Sequence, residues 1–128
     1  MAPEDTSAGS AALDAAALDP SALGKLASDM EDESFARAFA RRYQALLDRR
    51  VTRIDDALTE ADLDKAMDAL LSLKVSSTTA GTRELAALAG EIETDVRRMD
   101  LGSARRRADA LRTAARRADA ALSDYLSS

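Results

Sequence analysis

The sequence predicts an all-α protein, specifically an antiparallel up-down four-helix bundle with a short additional N-terminal helix. Its 128 residues include 29 Ala and 17 Leu, which favour helices, but only five Val and Ile, which favour strands. In several long segments apolar residues recur every three or four positions, as in helices with one buried face. The connections between the last four segments are short, and short connections make neighbouring helices antiparallel.

The composition argues against most enzyme classes. The chain has no histidine and no cysteine, which removes the commonest general base, disulfides and thiolate metal sites. An enzyme that uses hydroxyl or carboxylate groups remains an alternative, but no group of residues in the sequence supports it. We therefore expect a protein that is not an enzyme and uses no cofactor.

Charge and hydropathy limit the partners. The formal net charge of −5 and the isoelectric point near 4.8 argue against a dedicated nucleic-acid binder. The sequence has no apolar run of transmembrane length and no basic signal-peptide region at residues 1–10, so we expect no membrane contact and a cytoplasmic location. The carboxylates between Asp55 and Asp68 lack both Glu-x-x-His and EF-hand spacing, so we expect no metal.

The first two helices are predicted from caps and periodicity. Residues 1–17 are expected to form a disordered or frayed leader, and residues 18–128 the domain. Asp19 followed by Pro20 is typical of a helix start, and the first helix should end near residue 30. The second should run from about Asp32 to Leu58. Its apolar residues could form a ligand or base-stacking platform, but their spacing favours a buried stripe, made of Phe35, Phe39, Tyr43, Leu46, Leu47, Ile54 and Leu58.

Three further helices complete the prediction. Asp62 should cap a third helix that reaches Ala80, and Thr82 a fourth that ends near Met99. A turn at residues 100–103 should lead to the last helix, which ends near Leu126. Its apolar seam alternates spacings of three and four, and it consists of Leu101, Ala104, Ala108, Leu111, Ala115, Ala118, Leu122 and Tyr125.

The third helix carries a set of residues at characteristic spacing, namely Leu73, Lys74, Ser76, Ser77 and Gly81. With these residues in register, the helix resembles the histidine phosphotransfer (HPt) domain of bacterial phosphorelays. That family carries Ala-His-x-Leu-Lys-Gly-Ser-Ser, followed closely by a further glycine. Outside this helix the resemblance rests on Leu18–Leu23, Phe39, Glu60–Asp62, Leu85 and Ile92–Glu93, and it covers roughly the whole domain.

Two departures from the HPt pattern fall at its functional positions. Leu71 stands where the family has its phosphoacceptor histidine, and Val75 stands where it has the glycine that lets a receiver domain approach. The nearby hydroxyls of Ser72, Ser76, Ser77, Thr78 and Thr79 are weak nucleophiles, and we expect them to lie on the helix surface or to bond to carbonyls one turn earlier. The resemblance therefore implies a pseudo-HPt protein that binds without phosphotransfer.

The helical geometry predicts which face of this segment would bind. Leu63, Ala66, Leu70, Leu73 and Ser77 should point inward, and a second row rotated by about 100° should point outward. That outward row comprises Asp64, Asp68, Leu71, Val75 and Thr78. The resemblance also places Glu93 and Arg97 beside the site, although the two could simply form an ion pair one turn apart. The predicted partner-binding residues are Asp68, Leu71, Lys74, Val75, Thr78, Glu93 and Arg97.

The predicted partner is a response-regulator receiver domain or a histidine kinase. A structural or self-associating bundle is the alternative, with a homodimer formed through the seam at 101–125 or through Leu71 and Val75. Residues 97–117 hold eight Arg and only two Asp. These arginines could contact an acidic partner, but a solvated outer face is the simpler interpretation.

Overall fold

A computed structural model describes residues 16–128, and this part of the chain is all-α, with no strand. The five helices that follow the helical residues Ala16 and Ala17 are α1 (Pro20–Asp29), α2 (Glu33–Thr59), α3 (Leu63–Ala80), α4 (Arg83–Arg97) and α5 (Leu101–Ser127). The predicted all-α class is therefore confirmed. Most of the predicted leader, residues 1–15, lies outside the described residues, whereas Ala17 is helical and buried just before the predicted boundary.

Four of the five helices begin at an aspartate whose carboxylate accepts backbone N–H bonds from the first turn. These caps are Asp19, Asp32, Asp62 and Asp100, and Pro20 occupies the first position of α1 as predicted. Each cap uses N–H groups that have no partner within the helix. Thr82 precedes α4 as predicted, but its hydroxyl makes no cap bond.

The helices are joined by turns that share one geometry. Each contains a single residue with positive φ, namely Glu31, Ala61, Gly81 or Met99. The next residue donates its N–H to a carbonyl five positions back, as Asp62 does to Ala57 and Asp100 to Asp95. This six-to-one bond satisfies a free carbonyl at the end of the preceding helix. The connections between consecutive helices are therefore only two or three residues long.

The contacts follow a closed order: α2 with α3, α3 with α4, α4 with α5, and α5 again with α2. Bonds between paired helices show their directions. Gln44 and Arg105 link α2 and α5 through the backbone oxygens of Asp119 and Leu58. Residue numbers thus fall along α5 as they rise along α2, so the two helices run in opposite directions. The short helix α1 packs against α2 and α3.

The core is built from small and aliphatic side chains, and one element of the predicted core is wrong. Phe35 is 42% exposed, and Phe39 and Leu46 are only partly buried, because Ala36 and Ala40 on α2 face the core instead. In α5 the middle of the predicted seam is buried, with Ala114 in place of Ala115, whereas Leu101 and Tyr125 at its two ends are only partly buried. Alanines at these positions let the helix backbones approach closely.

The capping aspartates predict how stability responds to acid. Hydrogen bonds from Ser21, Ser34 and Ser103 lower the pKa values of their partners Asp19, Asp32 and Asp100. A carboxyl whose pKa is lower in the folded state adds stability that is present above its unfolded pKa, about 3.9, and is lost as pH falls through the folded value. Asparagine caps helices without titrating.

We therefore expect the triple variant D19N/D32N/D100N to lose less stability than the parent between about pH 5 and pH 2. Urea unfolding followed by circular dichroism across this range measures the difference. D48N/D56N/D109N, which changes exposed aspartates that cap no helix and form no ion pair within residues 16–128, is the matched control and should keep the parent slope. Equal slopes for the parent and the triple cap variant would contradict the expectation.

Candidate functional site

The exposed side of α3 carries two aliphatic side chains one turn apart. Leu71 is 50% exposed and Val75 is 56% exposed, whereas the neighbouring Leu70 and Leu73 are completely buried. Asp68 and Thr78 are also exposed. The predicted outward row is thus exposed, and the predicted inward row is buried except for Leu63, which is partly buried. We call Leu71 and Val75 the α3 apolar pair.

The hydroxyls that follow this pair are satisfied within the helix. Ser76, Thr78 and Thr79 donate to the carbonyl oxygens of the residues four positions earlier, at 2.8, 2.9 and 3.2 Å. This pattern confirms the expectation of bonds to the preceding turn. Within the described part of the chain, none of these three hydroxyls is hydrogen-bonded to a carboxylate that could act as a base.

Ser77 is different, because it belongs to a buried polar cluster. The phenol oxygen of Tyr43 lies 2.7 Å from Ser77 Oγ and 2.7 Å from Thr82 Oγ1, and Thr82 Oγ1 also donates to the Ser77 carbonyl. The cluster joins α2 and α3 to the start of α4. Burial raises the pKa of Tyr43, against the opposing effect of its two hydroxyl partners. The phenol therefore remains neutral and hydrogen-bonded at physiological pH.

This cluster was missed by sequence reasoning, although part of the signal was visible. Ser77 was placed on the inward row, and a buried hydroxyl requires a partner. Nothing in the sequence indicates that the partner is Tyr43, because the two residues are 34 positions apart and meet only when the helices pack.

On the α4 side of the apolar pair, Lys74 covers a buried carboxylate. Lys74 Nζ lies 2.6 Å from Glu93 Oε1, and the Glu93 side chain is only 3% exposed. The more exposed Arg97 lies 3.8 Å from the other Glu93 oxygen. The predicted Glu93–Arg97 pair is thus present, but it is longer than the pair between Lys74 and Glu93. Of these predicted binding residues, Lys74 and Arg97 reach the surface, whereas Glu93 lies beneath it and supports Lys74.

On the α2 side, the apolar pair is bordered by a groove between α2 and α3. The α2 wall carries Arg42, Arg49, Arg50 and Arg53 together with Phe39 and Leu46, and small residues on α3, namely Ala69, Ser72 and Ser76, line the other wall. Arg53 lies 3.4 Å from Asp68. Within residues 16–128 the other three arginines form no ion pair. We call this feature the arginine groove.

Arginines of α5 bind oxygen atoms of the neighbouring helices α2 and α4. Arg107 makes two bonds of 2.8 Å to Asp95, which is nearly buried, and Arg117 pairs with Glu84 on α4. Arg105 donates to the Leu58 carbonyl at the end of α2. These side chains hold neighbouring helices together, so this part of the basic segment is neither a free docking surface nor a purely solvated face.

Two other findings concern residues 16–128 only. No helix in this range combines the length and the apolar character that crossing a membrane requires. No group of three or more acidic side chains comes together there in a way that could hold a metal ion.

Comparison with known proteins returns no significant similarity: no protein-family model, curated protein or solved structure matches this chain.

Proposed function

We propose that this chain is a pseudo-HPt protein that binds a receiver domain or a histidine kinase without transferring phosphate. The proposal includes an antiparallel up-down four-helix bundle formed by α2 to α5, with α1 packed outside it. The closed order of helix contacts and the opposite directions of α2 and α5 support this arrangement. A partner of this kind would place the protein in the cytoplasm.

The single observation that carries the proposal is the exposure of the α3 apolar pair. Leu71 and Val75 occupy the positions of the family's histidine and glycine, and both side chains are about half exposed. Because the chain contains no histidine, no imidazole elsewhere can take the place of the phosphoacceptor. The proposed binding face therefore has an apolar contact surface but no histidine that could accept phosphate.

The surroundings of the pair favour an acidic partner surface. Lys74 and Arg97 lie on one side of it, and the arginine groove lies on the other. Complementary charge at the edge of an interface mainly raises the association rate and selects the partner. Fully burying one aliphatic side chain contributes about 1.5–3 kcal/mol, so the pair can supply the apolar centre of a weak contact.

We expect a receiver domain or kinase from the same organism to bind with a dissociation constant of about 10–100 μM, equivalent to about −5.5 to −7 kcal/mol. L71D should weaken this binding at least about tenfold, since it places a charge at the centre of the contact. Isothermal titration calorimetry measures both quantities.

The matched control is M99D, which makes the same charge change at a methionine that is 68% exposed in the turn before α5. It should bind like the parent. The proposal fails if no receiver or kinase binds in this range, or if L71D and M99D behave alike.

A homodimer is the alternative, and the structure restricts where it could form. The α5 seam at 101–125 is largely buried against other helices of the same chain, so it is not available to a second copy. Of the two predicted dimer surfaces, the α3 apolar pair is the one that is exposed. Light scattering at high concentration tests this alternative: a dimer that L71D dissociates would favour it, and a monomer would remove it.

A further inference from the structure

The arginine groove contains more positive charge than the fold itself uses. Arg49 and Arg53 are four residues apart on α2, and Arg50 and Arg53 are three apart, so their guanidinium groups repel one another on one side of the helix. Only Arg53 has a carboxylate within ion-pair distance in the described part of the chain, and that pair is exposed. A fold that keeps these charges together gains stability when an anion binds between them.

The shape of the groove limits the size of that anion. It contains two adjoining cavities of about 210 and 100 Å³, which share Leu46 and Arg50 in their linings. The larger also touches Arg49, Arg53 and Ser72, and the smaller touches Arg42 and Ser76. These volumes suit a compact anion better than a peptide helix, whose diameter with side chains is about 10–12 Å.

The chemistry of the walls selects the kind of anion. Guanidinium groups bind phosphate through paired N–H bonds, and their planar geometry matches phosphate oxygens better than an ammonium group does. The cations extend along α2 from Arg42 to Arg53, a distance of about 16 Å at 1.5 Å per residue. A single phosphate cannot reach all of them, whereas several linked phosphates contact more than one.

We propose that the arginine groove is a binding site for an oligophosphate, either free or as the phosphate tail of a nucleotide. This site adjoins the proposed partner contact and goes beyond it, because the groups that would hold the anion are the arginines of the α2 wall rather than the α3 apolar pair. Ser72 offers its hydroxyl as an additional donor from the opposite wall. Asp68 opposes binding, since its carboxylate lies beside Arg53.

The probe is sodium tripolyphosphate, added to the intact chain at constant ionic strength and followed by calorimetry and thermal unfolding. We expect binding that raises the unfolding temperature. R49Q/R53Q should weaken binding by about tenfold or more, because it removes two charge-assisted contacts. D68N should strengthen it, since it removes the competing carboxylate.

The control R41Q/R98Q removes the same charge at two exposed arginines outside the groove, and it should bind like the parent. ATP distinguishes the two sources of phosphate, with AMP as the comparison that carries a single phosphate. Equal affinities for ATP and tripolyphosphate indicate that the site recognises phosphate alone, and a higher affinity for ATP indicates that it recognises a nucleotide. The proposal is overturned if tripolyphosphate does not bind, if the control loses as much affinity as R49Q/R53Q, or if short polyglutamate of matched charge binds equally well.

Discussion

Replacing Gly81 with alanine is expected to lower the free energy of unfolding by about 3 kcal/mol or more. Gly81 has a φ of 86°, and a Cβ atom there would lie 2.4 Å from the carbonyl oxygen of Asp19 and 2.8 Å from Ala22 Cβ. The positive φ alone costs a residue with a side chain about 1–2 kcal/mol. The clash adds to this, because α1 must move away and lose the 2.8 Å bond from Asp19 N–H to the Gly81 carbonyl.

Gly24 provides the matched control, since it lies on the exposed side of α1 and a Cβ there would meet nothing within 4 Å. G24A should raise the free energy of unfolding by about 0.5–1 kcal/mol, because alanine favours the helix. Urea titration of both variants measures the difference. A G81A variant as stable as the parent would show that α1 does not rest on the turn between α3 and α4 as described.

Replacing Lys74 with methionine is expected to lower the free energy of unfolding by about 2–3 kcal/mol. The loss arises at Glu93 rather than at Lys74, because the variant leaves a buried carboxylate without its nearest cation. Arg97 still lies 3.8 Å away, so the effect should fall below that of a completely unpaired buried charge. Methionine keeps the aliphatic stem of the lysine, so the change in packing is small.

The double variant K74M/E93Q distinguishes this explanation from a simple loss of packing. Glutamine removes the charge that needs a partner, so adding E93Q to K74M should recover most of the lost stability. K25M is the control, since Lys25 forms an exposed ion pair with Asp29, and it should cause no measurable loss. A double variant that is less stable than K74M alone would contradict the explanation that the loss arises from the Glu93 charge.

The helix boundaries were largely predictable from the sequence because their determinants are local. Each capping aspartate lies beside the N–H groups from which it accepts hydrogen bonds, and Gly81 ends α3 through its own positive φ angle. The exposed positions of Leu71 and Val75 also follow from the rotation of about 100° per residue along one helix. These features depend on residues within a turn of one another.

The errors and omissions arise where helices pack. The apolar spacing of α2 predicts that Phe35 lies in the core, but the close approach of the helices favours the small side chains of Ala36 and Ala40 there. The Tyr43 cluster and the arginine groove each need residues from two or more helices. The sequence contains those residues but not the register that brings them together. The resemblance to HPt domains remains a prediction.

The most direct test of the proposed partner contact is an NMR titration. Backbone amide chemical shifts of the labelled chain are measured while an unlabelled receiver domain from the same organism is added. We expect the largest changes on the exposed side of α3, around Leu71 and Val75, and on the neighbouring surface of α2. L71D should abolish these changes, and M99D should retain them. Changes centred on the outer face of α5, or no changes at receiver concentrations of about 100 μM, would contradict it.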